Sequence, residues 1–261
     1  MIYDHTNLIS SIFKMNLPGV IALAGPQGSG KSTFASRIQS EDAPETLVLA
    51  LDDFYLPKIE RQKLADRVSP LFATRGPPGT HDVSLLDEIL DALTTDPFVP
   101  VEIPRFDKLA DDRIDQCDWR TVSEKPKTII LEGWCVGAKL APGFVSGNPM
   151  NEIERADTDG RWRQFQADKL KTSYAALWAR IDQFIYLTAP DFETVKQWRL
   201  EQEAATRGVT VNELEPDVCA WVERFVDHYE RLTRNMGEGF CCPGEVWRLD
   251  KNRNVMKVDR F

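Results

Sequence analysis

The stretch "VIALAGPQGSGKS", residues 20–32, joins a short apolar run to a glycine-rich segment. Its second half matches the pattern G-x-x-x-x-G-K-[ST], from Gly25 through Gly30 to Lys31 and Ser32. Glycines let a backbone curl so that successive N–H groups point at one anion, and a helix that starts near Lys31 adds the positive end of its dipole. The spacing therefore predicts a nucleotide-phosphate site made of Gly25, Pro26, Gln27, Gly28, Ser29, Gly30, Lys31, Ser32 and Thr33.

The flanks of this motif favour a functional loop over a chance match in a glycine-rich turn. The run "VIALA" is typical of a buried strand, and "STFASRI" begins an amphipathic helix. A strand, a phosphate loop and a helix together form the first unit of a nucleotide-binding α/β fold. In such a site Lys31 brings a mobile positive charge to the β- and γ-phosphates, and the Ser32 hydroxyl is a ligand for Mg²⁺.

The composition limits the classes of partner. The 261 residues include 32 Lys and Arg against 41 Asp and Glu, which gives a formal net charge of −9. An acidic surface disfavours extended contact with nucleic acid or an anionic membrane, but a small anion needs only a few local donors. No signal peptide, membrane span or metal-binding cysteine spacing is recognised, so we expect a cytoplasmic protein that acts on a small molecule.

The rest of the chain favours an α/β fold with a mainly parallel sheet, in one domain over residues 1–261. Nearly continuous apolar segments predict strands at Val20–Ala24, Thr46–Leu51, Val99–Ile103, Thr128–Leu131 and Gln183–Thr188. Helical spacing of apolar residues is found over 86–93, 170–181 and 218–236, the last with Asp217 as the expected N-cap after Pro216. The tail predicts two short strands around a polar turn, and residues 69–82 and 137–161 predict long irregular loops.

Acidic residues follow two of the predicted strands. Asp52 and Asp53 end one strand, and Glu132 ends another, at the sheet edge where parallel α/β proteins bind ligands. Glu132 is a candidate for Mg²⁺, directly or through water. One aspartate is a candidate for accepting a proton from a substrate hydroxyl. For Asp53 a role in a turn or as a helix cap is an equal alternative.

Several motifs in one order carry a family resemblance. The stretches "GPQGSGKS", "LALDDFYLP", "RGPPGTHD", "IPRFDK", "ILEGWCVG" and "QWRLEQE" lie between residues 20 and 203. Together they closely resemble the P-loop kinases of the D-glycerate 3-kinase type, which are relatives of the uridine kinase, pantothenate kinase and phosphoribulokinase group. The resemblance implies a five-stranded parallel core of order 2-3-1-4-5, a helical lid at about residues 190–212, and ATP with Mg²⁺. The implied activity is transfer of the γ-phosphate to a hydroxyl of a small carboxylated acceptor, D-glycerate.

The resemblance also implies roles for individual residues. Asp52, which opens D-x-F-Y, would be the base, Glu132 the acid of the "EGW" element, and Arg199 the charge-neutralising member of the lid. The implied acceptor contacts are Asp52, Asp53, Tyr55, Arg75, His81, Asp82 and Arg105. Structural alternatives are open for several of these residues: Asp82 could cap the next helix, Arg105, like Lys108, could be a solvated loop charge, and Arg199 could pair with Glu203. Arg75 is the strongest of these, because a carboxylate rewards a planar, bidentate cation.

Three other functions stay open at this point. A kinase of the same fold could act on a nucleoside, pantothenate or another hydroxyl acceptor. A nucleotide-dependent switch or sensor would bind without phosphorylating, although the guanine-recognising N-K-x-D element is absent. An inactive relative could use the fold for interaction. The segment "GVTVNELEPDV" departs from the glycine- and methionine-rich sequence expected after the lid, so details of the lid transfer poorly.

Overall fold

A computed structural model describes residues 19–41, 45–236 and 241–261. The N-terminal segment, for which no signal peptide is predicted, lies outside these ranges. Within them, no helix combines the length and the apolar character needed to cross a bilayer. The strands are β1 (Gly19–Ala24), β2 (Thr46–Ala50), β3 (Val101–Ile103), β4 (Phe106–Asp107), β5 (Asp112–Arg113), β6 (Arg120–Val122), β7 (Thr128–Gly133), β8 (Gln183–Thr188), β9 (Gly244–Leu249) and β10 (Val255–Arg260).

Six of these strands form the central sheet, in the order β10-β9-β8-β1-β7-β2. The pairs from β2 to β9 are parallel, and β10 pairs antiparallel with β9. The expected sheet of five strands in the order 2-3-1-4-5 is therefore not confirmed as stated. The candidate segment Val99–Ile103 lies outside the sheet, because Val101–Ile103 pairs only with β6 and Val99 is exposed. The tail supplies β9 and β10, as predicted.

The helices cover both faces of the sheet. The predicted segment 86–93 lies in one helix, whereas 170–181 and 218–236 are each divided between two helices. They are α1 (Lys31–Glu41), α2 (Lys58–Arg67), α3 (Val83–Thr94), α4 (Glu152–Ala156), α5 (Arg161–Lys171), α6 (Ser173–Trp178), α7 (Phe192–Arg207), α8 (Pro216–Asp227) and α9 (Glu230–Asn235). The predicted N-cap Asp217 is wrong. Glu215 occupies the N-cap position without a side-chain hydrogen bond, and Pro216 takes the first turn, where its missing N–H costs nothing.

Burial on both faces explains why the strands are almost continuously apolar. In β1, Val20 and Ala22 belong to one buried cluster, whereas Ile21 and Leu23 belong to the cluster on the opposite face. Both sets have relative exposures of 4% or less. A strand buried in this way fixes the direction of the loop that follows it, and the loop after β1 is the phosphate loop.

Helix α7 lies where the lid is predicted. Asp191 caps its start by accepting a hydrogen bond from the Thr194 N–H at 2.7 Å, and Gly208 ends it with φ 69°. An apolar cluster, which includes Val195 and Val222, joins α7 to α8. The unexpected segment after the lid forms a capped 3₁₀ turn over Val211–Glu213 and then enters α8.

Candidate active site

The phosphate loop connects β1 to α1, and its glycines have the conformation that the motif predicts. Gly28 has φ 72° and Gly30 has φ 87°, in the left-handed region that side chains disfavour. A Cβ atom on Gly28 would lie 2.6 Å from the Cβ of Trp198 and 2.8 Å from its carbonyl oxygen. Gly28 is therefore required for two reasons: its backbone angle and the close approach of the lid helix.

Ser32 and Glu132 meet beside this loop. Glu132 lies in β7, paired with Leu23 of β1, so that the register of the sheet brings its carboxylate to the start of α1. The Ser32 hydroxyl donates a hydrogen bond to Glu132 Oε1 at 2.8 Å. Burial raises the pKa of Glu132. Glu132 Oε2 is buried and has no hydrogen-bond partner among the described residues.

This pair fits a divalent cation whose remaining ligands are water molecules and phosphate oxygens. Mg²⁺ takes one or two protein oxygens together with waters and phosphates, and Ser32 with Glu132 supplies that number. In the described ranges, no group of three or more His, Cys, Asp or Glu side chains could hold a metal ion by itself. The orphaned Oε2 of Glu132 is thus the observation that supports a cation at this position.

Asp52 lies in a 3₁₀ turn, Leu51–Phe54, directly after β2. Its Oδ2 is 2.6 Å from the Nζ of Lys108, and its Oδ1 accepts a hydrogen bond from the Tyr55 hydroxyl at 2.9 Å. Burial alone would raise the pKa of Asp52. The charges of Lys108 and Lys31 and the hydrogen bonds from Lys108 and Tyr55 outweigh it and lower the pKa well below its usual range. Asp52 is therefore an ionised carboxylate beside the phosphate loop.

The neighbouring Asp53 has different surroundings. Its Oδ1 accepts a hydrogen bond from the main-chain N–H of Phe106 at 3.1 Å, and burial raises its pKa. This bond fixes the start of the hairpin formed by β4 and β5. The contact is structural, and Asp53 does not line the cleft beside the phosphate loop.

Arg75 is held rigidly by charge and by aromatic rings. It forms an ion pair with Asp111, which also pairs with Arg61 at 2.9 Å. Its guanidinium carbon lies 5.6 Å from the ring centre of Phe106 and 5.7 Å from that of Phe225. A cation placed between two rings and pinned by one carboxylate has little freedom, which suits it to orient an anionic group.

His81 and Asp82 lie behind the cleft wall. The His81 ring stacks on Tyr55 with centres 4.7 Å apart, and its Nδ1 is 2.6 Å from the Tyr174 hydroxyl. Burial lowers the pKa of His81 to about 4. Asp82 caps α3 by accepting a hydrogen bond from the Leu85 N–H at 3.2 Å, so the structural alternative for this residue is observed.

Arg199 faces the same space from the lid helix α7. It pairs with Glu203 at 2.8 Å, as the spacing allows, and its guanidinium carbon lies 5.7 Å from the Phe225 ring centre. Although Arg199 is ion-paired, its side chain lines the cleft beside the phosphate loop.

These elements enclose a cleft of about 430 Å³. Of the predicted site residues, it is lined by Gln27, Gly28, Gly30, Lys31, Ser32, Thr33, Asp52, Tyr55, Arg75 and Arg199. The remaining predicted residues do not line it: Gly25, Pro26, Ser29, Asp53, His81, Asp82, Arg105 and Glu132. Glu132 reaches the cleft wall through Ser32, and Arg105 has an exposed side chain. A second, mostly apolar cavity of about 250 Å³ adjoins the loop, between Phe34, Trp247 and Val255.

The hairpin Phe106–Arg113 ties together the residues expected to contact an acceptor. Besides the contacts of Phe106, Lys108 and Asp111, its Arg113 donates to the Tyr55 carbonyl at 2.8 Å and pairs with Asp82 at 3.2 Å. From the sequence alone, Arg105 and Lys108 are the candidates in this region. The other charged residues of "FDKLADDR" carry no spacing signal that would have distinguished them from solvated loop charges.

Comparison with known proteins agrees with this architecture. The uncharacterized kinase mug58 of Schizosaccharomyces pombe is 33% identical over 227 residues, which cover 81% of this chain and 78% of that protein. The chloroplastic D-glycerate 3-kinase of Arabidopsis thaliana is 29% identical over 204 residues, or 73% of this chain and 42% of that longer protein. The D-glycerate 3-kinase structure from Cryptococcus neoformans superposes with a TM-score of 0.77 at 22% identity, covering 98% of this chain and 96% of that chain. No family model matches.

A mainly parallel sheet, a phosphate loop at its first βα junction and acids at two strand ends define a P-loop kinase fold. The chain belongs to the family of P-loop kinases that includes the D-glycerate 3-kinases. The resemblance stated from the motifs is thereby confirmed.

Proposed function

We propose that this chain is an ATP-dependent kinase that transfers the γ-phosphoryl group to a hydroxyl of a small carboxylated acceptor, D-glycerate. The observation that carries the proposal is the position of Asp52. Its ionised carboxylate shares one cleft with Lys31 of the phosphate loop and with the fixed cation Arg75. The name of the acceptor comes from the relatives that are D-glycerate 3-kinases.

The nucleotide would occupy both cavities beside the phosphate loop. The triphosphate would lie on the main-chain N–H groups of residues 25–33, with Lys31 at the β- and γ-phosphates. The adenine would enter the apolar cavity between Phe34, Trp247 and Val255, which is also lined by Gly30 and Thr33 of the phosphate loop. An apolar slot with few polar groups is the usual environment for a purine ring.

Ser32 and Glu132 would hold Mg²⁺, which neutralises phosphate charge in reactions of this kind. The protein's own contribution is to keep these two oxygens together. Glu132 is anchored in the sheet and Ser32 in the first turn of α1, so both are fixed before a ligand arrives.

On the acceptor side, Asp52 would accept the proton of the attacking hydroxyl, and Arg75 would bind the carboxylate. Tyr55 donates a hydrogen bond to Oδ1 of Asp52, and the second oxygen, Oδ2, contacts the ammonium group of Lys108, which also lines the cleft. Lys31 and Arg199 would stabilise the charge that spreads over the transferred group, because both side chains line the cleft. Positioning and charge neutralisation then supply most of the catalysis, as in other phosphoryl transfers.

An acceptor panel tests the activity directly. Release of ADP is measured with ATP, Mg²⁺ and either D-glycerate, L-glycerate, uridine or pantothenate. We expect turnover above the acceptor-free rate with D-glycerate. If only uridine or pantothenate stimulates ADP release, the glycerate assignment is wrong but the kinase assignment stands. If ATP binds and no acceptor is phosphorylated, the nucleotide-binding switch is the better explanation.

A pair of isosteric variants tests the proposed base. Asp52→Asn removes the carboxylate beside the loop, and we expect kcat to fall by about 10²–10⁴-fold with the affinity for ATP retained. Asp53→Asn is the matched control, because an asparagine Oδ1 can still accept the Phe106 N–H. Equal activity of the Asp52→Asn variant and the wild type would contradict the proposed role.

A further inference from the structure

Arg253 connects three parts of the molecule that are distant in sequence. It lies in the turn between β9 and β10, and its Nε donates a hydrogen bond to the carbonyl oxygen of Gly28 at 2.6 Å. Its Nη2 lies 2.8 Å from the Oε2 of Glu201 in the lid helix α7. Its guanidinium carbon is 5.0 Å from the ring centre of Trp198, in the same helix. One side chain thus contacts the phosphate loop and the lid helix together.

The turn that presents Arg253 is held independently of this side chain. Arg253 has φ 67°, a left-handed conformation that the turn enforces. The carboxylate of Asp250 accepts hydrogen bonds from the N–H groups of Asn252 and Asn254, at 2.8 and 2.9 Å. The indole N–H of Trp198 donates to the main-chain carbonyl of Lys251 at 2.8 Å. The backbone of the turn is therefore fixed to α7, and the position from which the Arg253 side chain extends does not depend on its own contacts.

The contact with Gly28 determines how the phosphate loop is oriented. A trans peptide bond directs its C=O and N–H groups to opposite sides. When the Gly28 carbonyl points at Arg253, the N–H of Ser29 points into the loop, where it donates to the Pro26 carbonyl at 3.3 Å. Gly28 is also packed directly against the backbone of Trp198. The centre of the loop is consequently held between Trp198 and Arg253.

Arg253 also lies at the boundary of the two cavities, because it lines both the polar cleft and the apolar cavity beside it. The same cleft contains Arg199, which precedes Glu201 in α7. A contact that fixes Glu201 to the loop therefore also fixes the distance between Arg199 and the loop.

We propose that Arg253 is a positioning residue for nucleotide binding. It acts through Gly28 and Glu201, by fixing the phosphate loop against the lid helix before ATP binds. In this proposal Arg253 does not contact the atoms that react. The inference rests on the proposed function only in that the loop binds ATP; it does not depend on which acceptor is phosphorylated.

The test compares Arg253→Ala with Arg248→Ala. Arg248 lies on the same hairpin, and its exposed ion pair with Asp259 faces away from the cleft, so it controls for the loss of one arginine and one ion pair. We expect the Kd for ATP, measured by calorimetry with Mg²⁺, to rise about tenfold for Arg253→Ala, because binding then has to order a loop that one charge-assisted hydrogen bond holds in the wild type. The KM for ATP should rise in parallel, with the KM for the acceptor unchanged. Arg248→Ala should match the wild type.

Two further variants keep the inference falsifiable if Arg253→Ala folds poorly. Arg253→Lys retains a donor for Gly28 but cannot also pair with Glu201, so its Kd should lie between wild type and Arg253→Ala. Glu201→Gln should have a smaller effect, and none when Arg253 is already alanine. Wild-type affinity for ATP in Arg253→Ala would overturn the inference. An equal loss of affinity in Arg253→Ala and Arg248→Ala would overturn it too. Failure of the wild type to bind ATP would overturn the proposed function as well, whereas binding without glycerate turnover would contradict only the acceptor.

Discussion

The ammonium group of Lys108 lies 2.6 Å from Oδ2 of Asp52, across a separation of 56 residues in the chain. The lysine is carried by the hairpin Phe106–Arg113, and the aspartate follows β2. The proposed base is therefore kept ionised by a cation from another segment. The ion pair also implies that an acceptor hydroxyl has to share or replace the lysine at this oxygen.

Replacement of Lys108 should change the pH dependence of the reaction. Burial raises the pKa of Asp52, and Lys108 is the largest influence that lowers it. Lys108→Met removes that charge, so the pKa of Asp52 should rise. The acidic limb of the kcat/KM profile should move to higher pH, because the carboxylate is protonated sooner as the pH falls. The profile is measured from ADP release with saturating ATP.

Lys63→Met is a suitable control for this experiment, because Lys63 forms an exposed ion pair with Glu60 on α2 and the net charge change is the same. Its profile should coincide with that of the wild type. If the Lys108 and Lys63 variants have the same acidic limb, the ion pair does not set the pKa of the base.

The Mg²⁺ requirement should depend on Glu132. Glu132→Gln keeps an acceptor for the Ser32 hydroxyl but removes the charge, and we expect the Mg²⁺ concentration for half-maximal activity to rise by about 10–100-fold. Burial raises the pKa of Glu132, so protons compete with the cation at higher pH than for an exposed glutamate. The wild type should therefore need more Mg²⁺ as the pH falls, and the variant should lose this dependence. Glu45→Gln, at an exposed ion pair, is the control.

Arg75 should affect the acceptor and not the nucleotide. Arg75→Lys keeps the positive charge but loses the planar pair of donors, and we expect the KM for the acceptor to rise by about 10–100-fold with the KM for ATP unchanged. Arg180→Lys, at an ion pair with Asp87 remote from the cleft, controls for the same chemical change. A parallel rise in the KM for ATP would place Arg75 on the nucleotide side instead.

Local spacing was sufficient to predict the conformation of residues 25–33, because a loop of this kind is shaped by its own glycines and by the strand and helix that flank it. The placement of Asp52 and Glu132 at one edge of the sheet was predictable as well, since parallel strands bring their carboxyl ends together. The assignment of Val99–Ile103 to the sheet failed for the opposite reason. A short strand with apolar residues has the same sequence pattern in a central sheet and in a surface hairpin. Only the identity of its partner strands, which the sequence does not give, distinguishes the two positions.

The surroundings of Asp52 were less predictable, because they depend on pairing between distant charges. The sequence offers Arg105 and Lys108 on equal terms, but only Lys108 lies against Asp52. Arg253 is 225 residues from Gly28, and nothing in the motif indicates their contact. Asp53, adjacent to the proposed base, is bound by the backbone of the hairpin. Tertiary structure determines which of these charged residues pair, and the pattern of a single sequence does not contain that information.

Two buried histidines should make the protein less stable in mild acid. Burial lowers the pKa values of both His81 and His228 to about 4, whereas an unfolded histidine titrates near 6.5. Between these values the unfolded chain binds protons that the folded chain excludes. The free energy of unfolding should then fall with decreasing pH, by up to about 1.4 kcal/mol per pH unit for each histidine.

His81→Gln separates the contribution of His81 from the rest. Glutamine can keep a hydrogen bond to Tyr174, but it does not titrate, so urea unfolding measured at about pH 7, 6 and 5 should give a shallower pH dependence than in the wild type. The variant can be less stable at every pH without affecting this test, because the slope reports only the difference in bound protons. An unchanged slope would mean that His81 takes up its proton in the folded state, which its stacking on Tyr55 and its burial argue against.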